Sequence, residues 1–449
     1  MQNIDIVDYL LLPVYLFLFY VIVKRKAVKY TDEELRRFFY TAFALRMFGS
    51  VAYSMMVQYY YGYGDSFTFY VGNSFLRDEI IKDPSNISYF FESPANVMNW
   101  YRFEVGDINY LGYFGINSSL FVMKLTTFIS FFCFNKYLII SLFFGLFSFA
   151  GQWRLFRVFC HLNNDRHRKL LAWALLYTPS LWFWGSGLLK DSICLGSLGF
   201  LVHSLYNLFI KKKFSLLDLL LAVLMVYIIA SIKLYIVIIL AVSLSTLVFS
   251  RIIAPLRHVV LKILVVLVFF VSTAVIALVS NFTEQLQALA EESKVQVDLY
   301  QHNYEITQQE DESSRAGIDF SDIDASVGGM LLYSPIAIFT CLYRPFIWES
   351  GKAIILFASL ESMLMFFATL YLLIRMKFFG FFIALFRNEY ILFCCTISIL
   401  FALIIGFTTY NFGTMVRYKI MLMPFYYYML VALYTQYQDK KNRRLASLP

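Results

Sequence analysis

The chain has 449 residues, of which 60% are hydrophobic, 19% aromatic and only 15% charged, and its mean hydropathy is +0.64. This composition excludes an ordinary soluble domain and is typical of a polytopic membrane protein. The formal net charge of +8 does not indicate nucleic-acid binding, because the basic residues stand in short clusters between apolar runs and act as orientation signals.

The first predicted element is an apolar run at residues 9–23. It follows two acidic residues, Asp5 and Asp8, and lacks the basic start of a signal peptide, so we predict a retained first span. The basic residues between Lys24 and Arg37 mark the cytoplasmic side of the membrane. The second predicted span, residues 38–59, then returns the chain to the outside.

Two apolar runs, residues 118–134 and 137–153, compete for the next crossing. The orientation rule allows an odd number of crossings between the outer Asp65 and the basic cluster that begins at Arg154. We predict that the second run crosses. The first, which carries Lys124, is predicted to be an interfacial or re-entrant helix in the outer leaflet. A full crossing by the first run would move every later loop to the opposite side.

Eight further runs reach or approach the ~20 apolar residues that a membrane-spanning helix needs. They are residues 170–189, 193–210, 216–232, 234–249, 259–280, 352–374, 390–409 and 418–437. A β-barrel is disfavoured because these runs are continuously apolar. The prediction is an all-α fold, a single polytopic membrane domain over residues 1–449 with about eleven transmembrane helices.

Two long loops are predicted on the extracytoplasmic side, at about residues 60–136 and 281–351. The first is rich in Tyr, Phe and Asn, and much of the second is acidic and polar. The positive-inside rule retains basic loops but leaves acidic loops free to be exported. The chain is therefore predicted to have its N-terminus outside and its C-terminus in the cytoplasm.

Seven ionisable residues that the orientation rule does not explain gather on this predicted outer side. They are Asp65, Lys190, Asp191, Lys233, Arg344, Glu349 and Arg417. Charges at membrane depth are costly unless they have partners or a function. We therefore interpret the group as a candidate site, with Pro179–Ser192 (PSLWFWGSGLLKDS) as one of its walls.

Each of these residues also has a purely structural interpretation. Asp65 can cap a helix, Lys190 and Asp191 can pair with each other, and Lys233 can snorkel to the headgroups. Arg344 and Glu349 can anchor the interface together with Trp348, and Arg417 can meet a lipid phosphate. The functional interpretation depends on their convergence.

Several cations beside a carboxylate suit a lipid-borne phosphate or diphosphate. Lys190, Lys233, Arg344 and Arg417 are the candidate phosphate-binding residues. Asp65, in preference to Asp191, is the candidate base that accepts a proton from an incoming hydroxyl. Asp191, Glu349, Trp182 and Trp184 are supporting residues; the tryptophans can stack on sugar rings or belong to the interfacial aromatic belt.

Other functions are less well supported by the sequence. The five histidines show no metal-ligand pairing at helical spacing, and no metal site is predicted from them. A transporter or flippase for a lipid-linked or anionic solute would need charges along a path through the bilayer, and only Arg46 and Glu361 stand clearly within spans. Arg46 can snorkel to the headgroups, which leaves Glu361 as the better argument for a path through the bilayer. A non-catalytic membrane subunit whose acidic loop 281–329 docks a partner is the third alternative.

Four segments together resemble bacterial membrane glycosyltransferases of the GT-C type and the related surface-polysaccharide polymerases. They are YGDS at residues 63–66, PSLWFWGSGLLKDS, LYRPFIWES and GTMVRYKIMLMPFYYY. The resemblance implies a polyprenyl-phosphate or polyprenyl-diphosphate sugar donor, a glycan or lipid-linked acceptor, and a periplasm-facing site in the bacterial inner membrane.

By that resemblance, Asp65 would be the catalytic acid or base, and Arg344 and Arg417 would contact the donor phosphate. Asp65 stands alone, with no second acid beside it. Its catalytic role and any requirement for a divalent metal therefore stay open.

Overall fold

The computed structural model describes residues 3–92, 115–253, 327–350, 353–409 and 412–446. Within these ranges the chain forms 15 α-helices and no strand, which confirms the predicted all-α class. The predicted span 259–280 and the loop 281–326 lie outside the described residues. The chain divides into two compact units, Met1–Val237 and Ile238–Pro449, called unit 1 and unit 2 below. The single-domain organisation stays a prediction.

Unit 1 begins with two helices that are each capped by an aspartate. Asp5 accepts hydrogen bonds from the first turn of α1 (Ile6–Ala27), and Asp32 does the same for α2 (Glu33–Met56). A π-helical turn, Val57–Tyr61, extends α2, and the chain then turns through Gly62 and Gly64 at φ values of 72° and 134°. The predicted outer loop thus starts with a helix, α3 (Asp65–Lys82).

The next helix, α4 (Asn117–Ser130), has 14 residues and is therefore about 21 Å long. This falls short of the ~30 Å hydrocarbon core and supports the prediction that residues 118–134 do not cross. A face of small polar residues, among them Thr126 and Thr127, is fully buried. Thr127 donates a hydrogen bond to the Asn73 carbonyl of α3.

The predicted span at residues 170–189 is interrupted twice. After α5 (Tyr137–Leu162), it consists of α6 (Arg168–Ala172), a π-helical turn and α7 (Pro179–Trp184). The first break lies at Thr178, whose ψ of 122° is the extended conformation that a residue before proline prefers. The second break follows Trp184, and helix resumes with α8 (Lys190–Leu205), which a further π-helical turn extends to Ile210.

Helices α5 and α8 approach each other closely through glycines. A methyl group added to Gly151 would lie only 2.0 Å from the carbonyl oxygen of Gly196. Small residues that allow backbones to meet in this way are typical of helix contacts in membranes. The contact makes α5 and α8 the rigid centre of unit 1, against which α2 also packs.

The last long helix of unit 1, α9 (Leu216–Ile253), leaves helical conformation only at Lys233, with φ −145° and ψ 82°. An uninterrupted helix of 38 residues would be about 57 Å long, nearly twice the hydrocarbon thickness. The sequence predicts a turn at residues 231–235, and the observed break falls at its centre. The boundary between the two units also lies within α9.

Unit 2 is built around two buried helices, α13 and α15, whose bounds follow with those of the other helices. Its elements are α10 (Val327–Tyr343), α11 (Ala353–Met376), α12 (Phe378–Arg387), α13 (Glu389–Thr408), α14 (Phe412–Lys419) and α15 (Met423–Ala446). Helix α13 packs against α10 and α15, and nearly every residue from Ile420 to Leu433 is buried. The predicted span 418–437 is thus two helices with a break after Lys419.

Short helix α12 is about 15 Å long and cannot cross the membrane. It exposes Phe379 and Ile383 and is flanked by the basic residues Lys377 and Arg387. These features are typical of an interfacial helix.

Six of the helices in the described ranges are long and apolar enough to cross a membrane: α1, α5, α8 with its π-helical turn, α9, α11 and α13. They cover seven of the predicted spans, because α9 contains two. The chain is therefore a helical membrane protein. The total of about eleven crossings and their orientation stay predictions.

Candidate functional site

The junction between α7 and α8 is a buried, non-helical segment at residues 185–189. Such a segment is tolerated in a membrane only where protein groups satisfy its backbone. Arg46 of α2 satisfies two backbone carbonyls at this junction. Its Nη1 donates to the carbonyl oxygens of Leu181 at 3.0 Å and Gly185 at 2.7 Å. A further hydrogen bond of 3.1 Å joins Nη1 to Ser148 Oγ.

Arg46 is therefore not a snorkelling residue, as the sequence suggested, since its side chain is 1% exposed. Its guanidinium lies at the C-terminal end of α7, where a cation interacts favourably with the helix dipole. Gly185 leaves room for this contact: an added Cβ would lie 2.4 Å from Arg46 Nη1. The sequence identified the charge but could not identify its partners, which come from two distant segments, α5 and the end of α7.

The two charges that begin α8 have different partners. Asp191 is fully buried and pairs with Lys233, whose Nζ lies 2.5 Å from Asp191 Oδ1. Lys190 donates instead to Ser118 Oγ at 2.8 Å and Ser119 Oγ at 3.0 Å. The predicted structural pairing of Lys190 with Asp191 stays a prediction.

The Lys233 side chain is only 9% exposed, so it does not snorkel to the headgroups. The break in α9 falls at this residue, and its ammonium is directed at the first turn of α8. A buried ion pair is costly to disrupt, because removal of one partner leaves the other charge uncompensated. Lys190, Asp191 and Lys233 thus form one cluster in unit 1, called the α8 cluster below.

Asp65 is the first residue of α3 and is half-buried. The N-cap position belongs to Gly64, so the predicted capping role of Asp65 is not observed. Phe69 lies one turn further along the same face of α3, and its ring centre is 5.7 Å from Lys190 Nζ. The structure thereby brings α3, the helix that begins with the candidate base, to the edge of the α8 cluster.

The two tryptophans of α7 are half-buried among other aromatic rings. Trp182 packs against Phe48, with ring centres 5.7 Å apart, and donates its indole N–H to the Tyr177 carbonyl. Trp184 packs against Tyr53 at 6.0 Å. These contacts give both rings a packing role, and their predicted contact with sugar is not tested.

In unit 2, Arg344 follows the last residue of α10 and is bound by Glu349. Its Nε lies 2.9 Å from Glu349 Oε1, and its Nη2 donates to the same carboxylate. Glu349 also accepts the backbone N–H of Phe346 at 2.8 Å. The guanidinium carbon of Arg344 lies 5.2 Å from the ring centre of Phe412 in α14. Glu349 therefore holds the Arg344 side chain in place, and it occupies part of the hydrogen-bonding edge of the guanidinium.

A buried lysine that the sequence analysis did not single out supports this segment. Lys419, 3% exposed, donates to the Leu342 carbonyl at 2.5 Å and to Ser362 Oγ at 2.9 Å. Ser362 donates in turn to the Arg344 carbonyl at 3.3 Å. Lys419 thus holds the C-terminal end of α10, as Arg46 holds that of α7. The available signal was a lysine within the apolar stretch that follows Arg417.

Arg417 is half-buried on α14, and its guanidinium carbon lies 5.2 Å from the ring centre of Tyr418. It and Arg344 are thus both associated with α14. Trp348 is 76% exposed and stacks on Phe346, as expected of an interfacial anchor.

The candidate residues divide between the two units. Unit 1 contains Asp65, Trp182, Trp184, Lys190, Asp191 and Lys233, and unit 2 contains Arg344, Glu349 and Arg417. One pocket formed by all of them stays a prediction. In the described part of the chain, no group of three or more His, Cys, Asp or Glu side chains is placed to hold a metal ion.

No protein-family model, curated protein or solved structure matches this chain. The resemblance to GT-C glycosyltransferases and polysaccharide polymerases therefore stays a prediction. The structure shows a helical membrane protein with a buried cluster of charges at the start of α8.

Proposed function

We propose that this protein is a membrane glycosyltransferase or polysaccharide polymerase that uses a polyprenyl-phosphate or polyprenyl-diphosphate sugar donor at the extracytoplasmic face of a bacterial inner membrane. One observation carries the proposal. The α8 cluster joins two lysines and a buried carboxylate beside the helix that begins with Asp65. Such a group of charges at membrane depth is costly to maintain without a function.

In the proposed reaction, an acceptor hydroxyl attacks the anomeric carbon of the donor sugar. A glycosidic bond forms, the bond between that carbon and the phosphate oxygen breaks, and the phosphate leaves on its lipid. The hydroxyl proton passes to the Asp65 carboxylate. Lys190, at the start of α8, stabilises the negative charge that grows on the departing phosphate.

The remaining charges have positioning roles in this proposal. Asp191 is fully buried and bound to Lys233, which makes it less suitable as a base than the half-buried Asp65. It fixes the position of the Lys233 ammonium, a predicted phosphate-binding group, beside the first turn of α8. By the resemblance, Arg344 and Arg417 are predicted to contact the donor phosphate. Glycan or lipid-linked acceptors and membrane lipids are the expected partners.

The test is the production of surface glycan in a deletion strain that carries single variants. Asp65→Asn is expected to reduce transfer by about 10²- to 10⁴-fold, the usual contribution of a general base. Lys190→Gln, Arg344→Ala and Arg417→Ala are expected to reduce it as well. Asp78→Asn is the matched control, because Asp78 lies exposed on the same helix as Asp65. Wild-type output from Asp65→Asn and both arginine variants would refute the proposal.

A transporter or flippase for a lipid-linked solute is the second candidate. The interrupted helices at residues 178 and 185–189 favour it, because discontinuous helices often form the binding sites of transporters. The purified protein in detergent separates the two functions. A transferase forms glycosidic product from lipid-linked donor and acceptor without a sealed membrane, whereas a flippase forms none.

A further inference from the structure

A groove of about 750 Å³ runs along α4 in unit 1. Its walls are one face of α4, residues 90–92, and the part of α9 that contains Tyr227 and Ser231. The residues that α4 contributes recur every three or four positions, from Asn117 to Phe128, as one face of a helix does. The volume is within the range of sites that hold small ligands.

The wall of the groove is largely aromatic, and the described part of the chain leaves much of it exposed. Phe91 is 89% exposed, Phe128 58% and Tyr227 60%. Phe121 and Tyr227 pack edge to face in this wall, with ring centres 5.9 Å apart. In a membrane protein, an apolar surface of this length suits a lipid hydrocarbon chain.

Two opposite charges line the same groove. Within the described residues, Lys124 Nζ donates one hydrogen bond, to the backbone carbonyl of Glu92 at 2.7 Å, and an ammonium has three donors to offer. The carboxylate of Glu92 accepts no hydrogen bond from the described part of the chain. Burial lowers the pKa of Lys124, and the nearby Glu92 carboxylate opposes this effect. The groove therefore presents an ammonium and a carboxylate next to each other.

We propose that this groove binds a zwitterionic phospholipid with a primary ammonium, such as phosphatidylethanolamine. Its phosphate meets Lys124, its ammonium meets Glu92, and an acyl chain follows α4 past Phe121 and Phe128. An anionic headgroup without an ammonium would face Glu92 with a like charge, and a neutral one would leave both protein charges unpaired. None of the candidate transferase residues lines the groove, so the site is independent of the proposed function.

The test is native mass spectrometry of the full chain in detergent, with equal amounts of phosphatidylethanolamine and phosphatidylglycerol that carry identical acyl chains. The wild type is expected to retain phosphatidylethanolamine in about two- to fivefold excess, the selectivity that one partly exposed ion pair can supply. Glu92→Gln is expected to abolish this preference while phosphatidylglycerol still binds. Lys124→Gln is expected to weaken the retention of both lipids.

Leu125→Trp tests whether the acyl chain of the lipid lies in the groove, because the larger ring fills the groove. It is expected to lose both lipids, whereas Leu220→Trp, on an exposed face of α9 outside the groove, is expected to bind as the wild type does. If Leu125→Trp does not yield folded protein, Glu92→Gln and Lys124→Gln still test the proposal. Equal retention of both lipids by the wild type, or an unchanged preference in Glu92→Gln, would overturn the proposal and leave the transferase function untouched.

Discussion

Three buried charges in the described part of the chain are each matched to a specific partner. Arg46 and Lys419 bind backbone carbonyls at the ends of α7 and α10, and Asp191 binds Lys233. Their desolvation is offset by these contacts, because a buried charge without a partner would cost several kcal/mol. The sequence showed that these positions carry charge. It could not show the partners, since each contact joins residues that are distant along the chain.

The pair of Asp191 and Lys233 is expected to behave as one unit in stability measurements. Asp191→Asn leaves the Lys233 ammonium buried and uncompensated, and we expect a loss of about 3–5 kcal/mol in the free energy of unfolding. Lys233→Met should be comparably destabilising. The double variant should be more stable than the sum of the two single effects predicts, because it removes both charges together.

Thermal unfolding of the detergent-purified protein measures these differences. Lys82→Met is the matched control, because the Lys82 side chain is 64% exposed in its ion pair with Glu79 and should contribute less than about 0.5 kcal/mol. Additive effects in the double variant would show that Asp191 and Lys233 do not depend on each other.

At the scale of elements, the apolar runs predicted the positions of most helices well and the positions of the breaks within them poorly. Residues 9–23, 137–153 and 390–409 all fall within single observed helices or within one residue of an end. Residues 170–189 do not, because hydropathy averages over Thr178-Pro179 and over the glycines at 185 and 187. These residues carry recognisable turn signals, but whether a turn forms depends on neighbours such as Arg46 that satisfy the freed backbone groups.

The segment at 185–189 is expected to tolerate no enlargement at Gly185. In Gly185→Ala, the new methyl group would lie 2.4 Å from Arg46 Nη1 and 2.5 Å from the Leu181 carbonyl oxygen. We expect a destabilisation of about 1–3 kcal/mol, the usual cost of overpacking a closely packed core. Thermal unfolding in detergent would measure it.

Gly380→Ala is the matched control for this change. A methyl group there meets no atom within 4 Å, and Gly380 lies inside α12, where alanine is the better helix former. This variant should be as stable as the wild type or slightly more so. Equal stability of Gly185→Ala and Gly380→Ala would contradict the close contact with Arg46.

For the whole molecule, the amino-acid composition predicted a polytopic membrane protein, and the basic clusters predicted its orientation in the membrane. The class is confirmed by the all-helical fold and by six helices that can cross a membrane in the described ranges. Three of the candidate charges, Lys190, Asp191 and Lys233, are brought together. The division into two units was not predicted, because it depends on which helices contact each other rather than on how apolar each one is.

The predicted orientation can be tested by cysteine labelling in intact cells. Ser85→Cys, in the exposed segment after α3, should react with a membrane-impermeant maleimide from outside. Lys212→Cys, in the basic loop before α9, should react only after the membrane is permeabilised. The native cysteines in the described ranges, all buried or half-buried, should give little background. The reverse pattern would place the α8 cluster on the cytoplasmic side and refute the proposed outer-face site.

The ion pair between α8 and α9 also has a consequence for how the protein is made. Asp191 precedes Lys233 by 42 residues, so at ordinary rates of translation its carboxylate is synthesised about two to eight seconds before the ammonium that neutralises it. An unpaired aspartate opposes the insertion of an apolar helix, by about 2.5–3.5 kcal/mol at the helix centre and by less near an end, where Asp191 lies. Helix α8 is therefore expected to remain at the insertion machinery until the first part of α9 arrives, so that the two helices enter the lipid together.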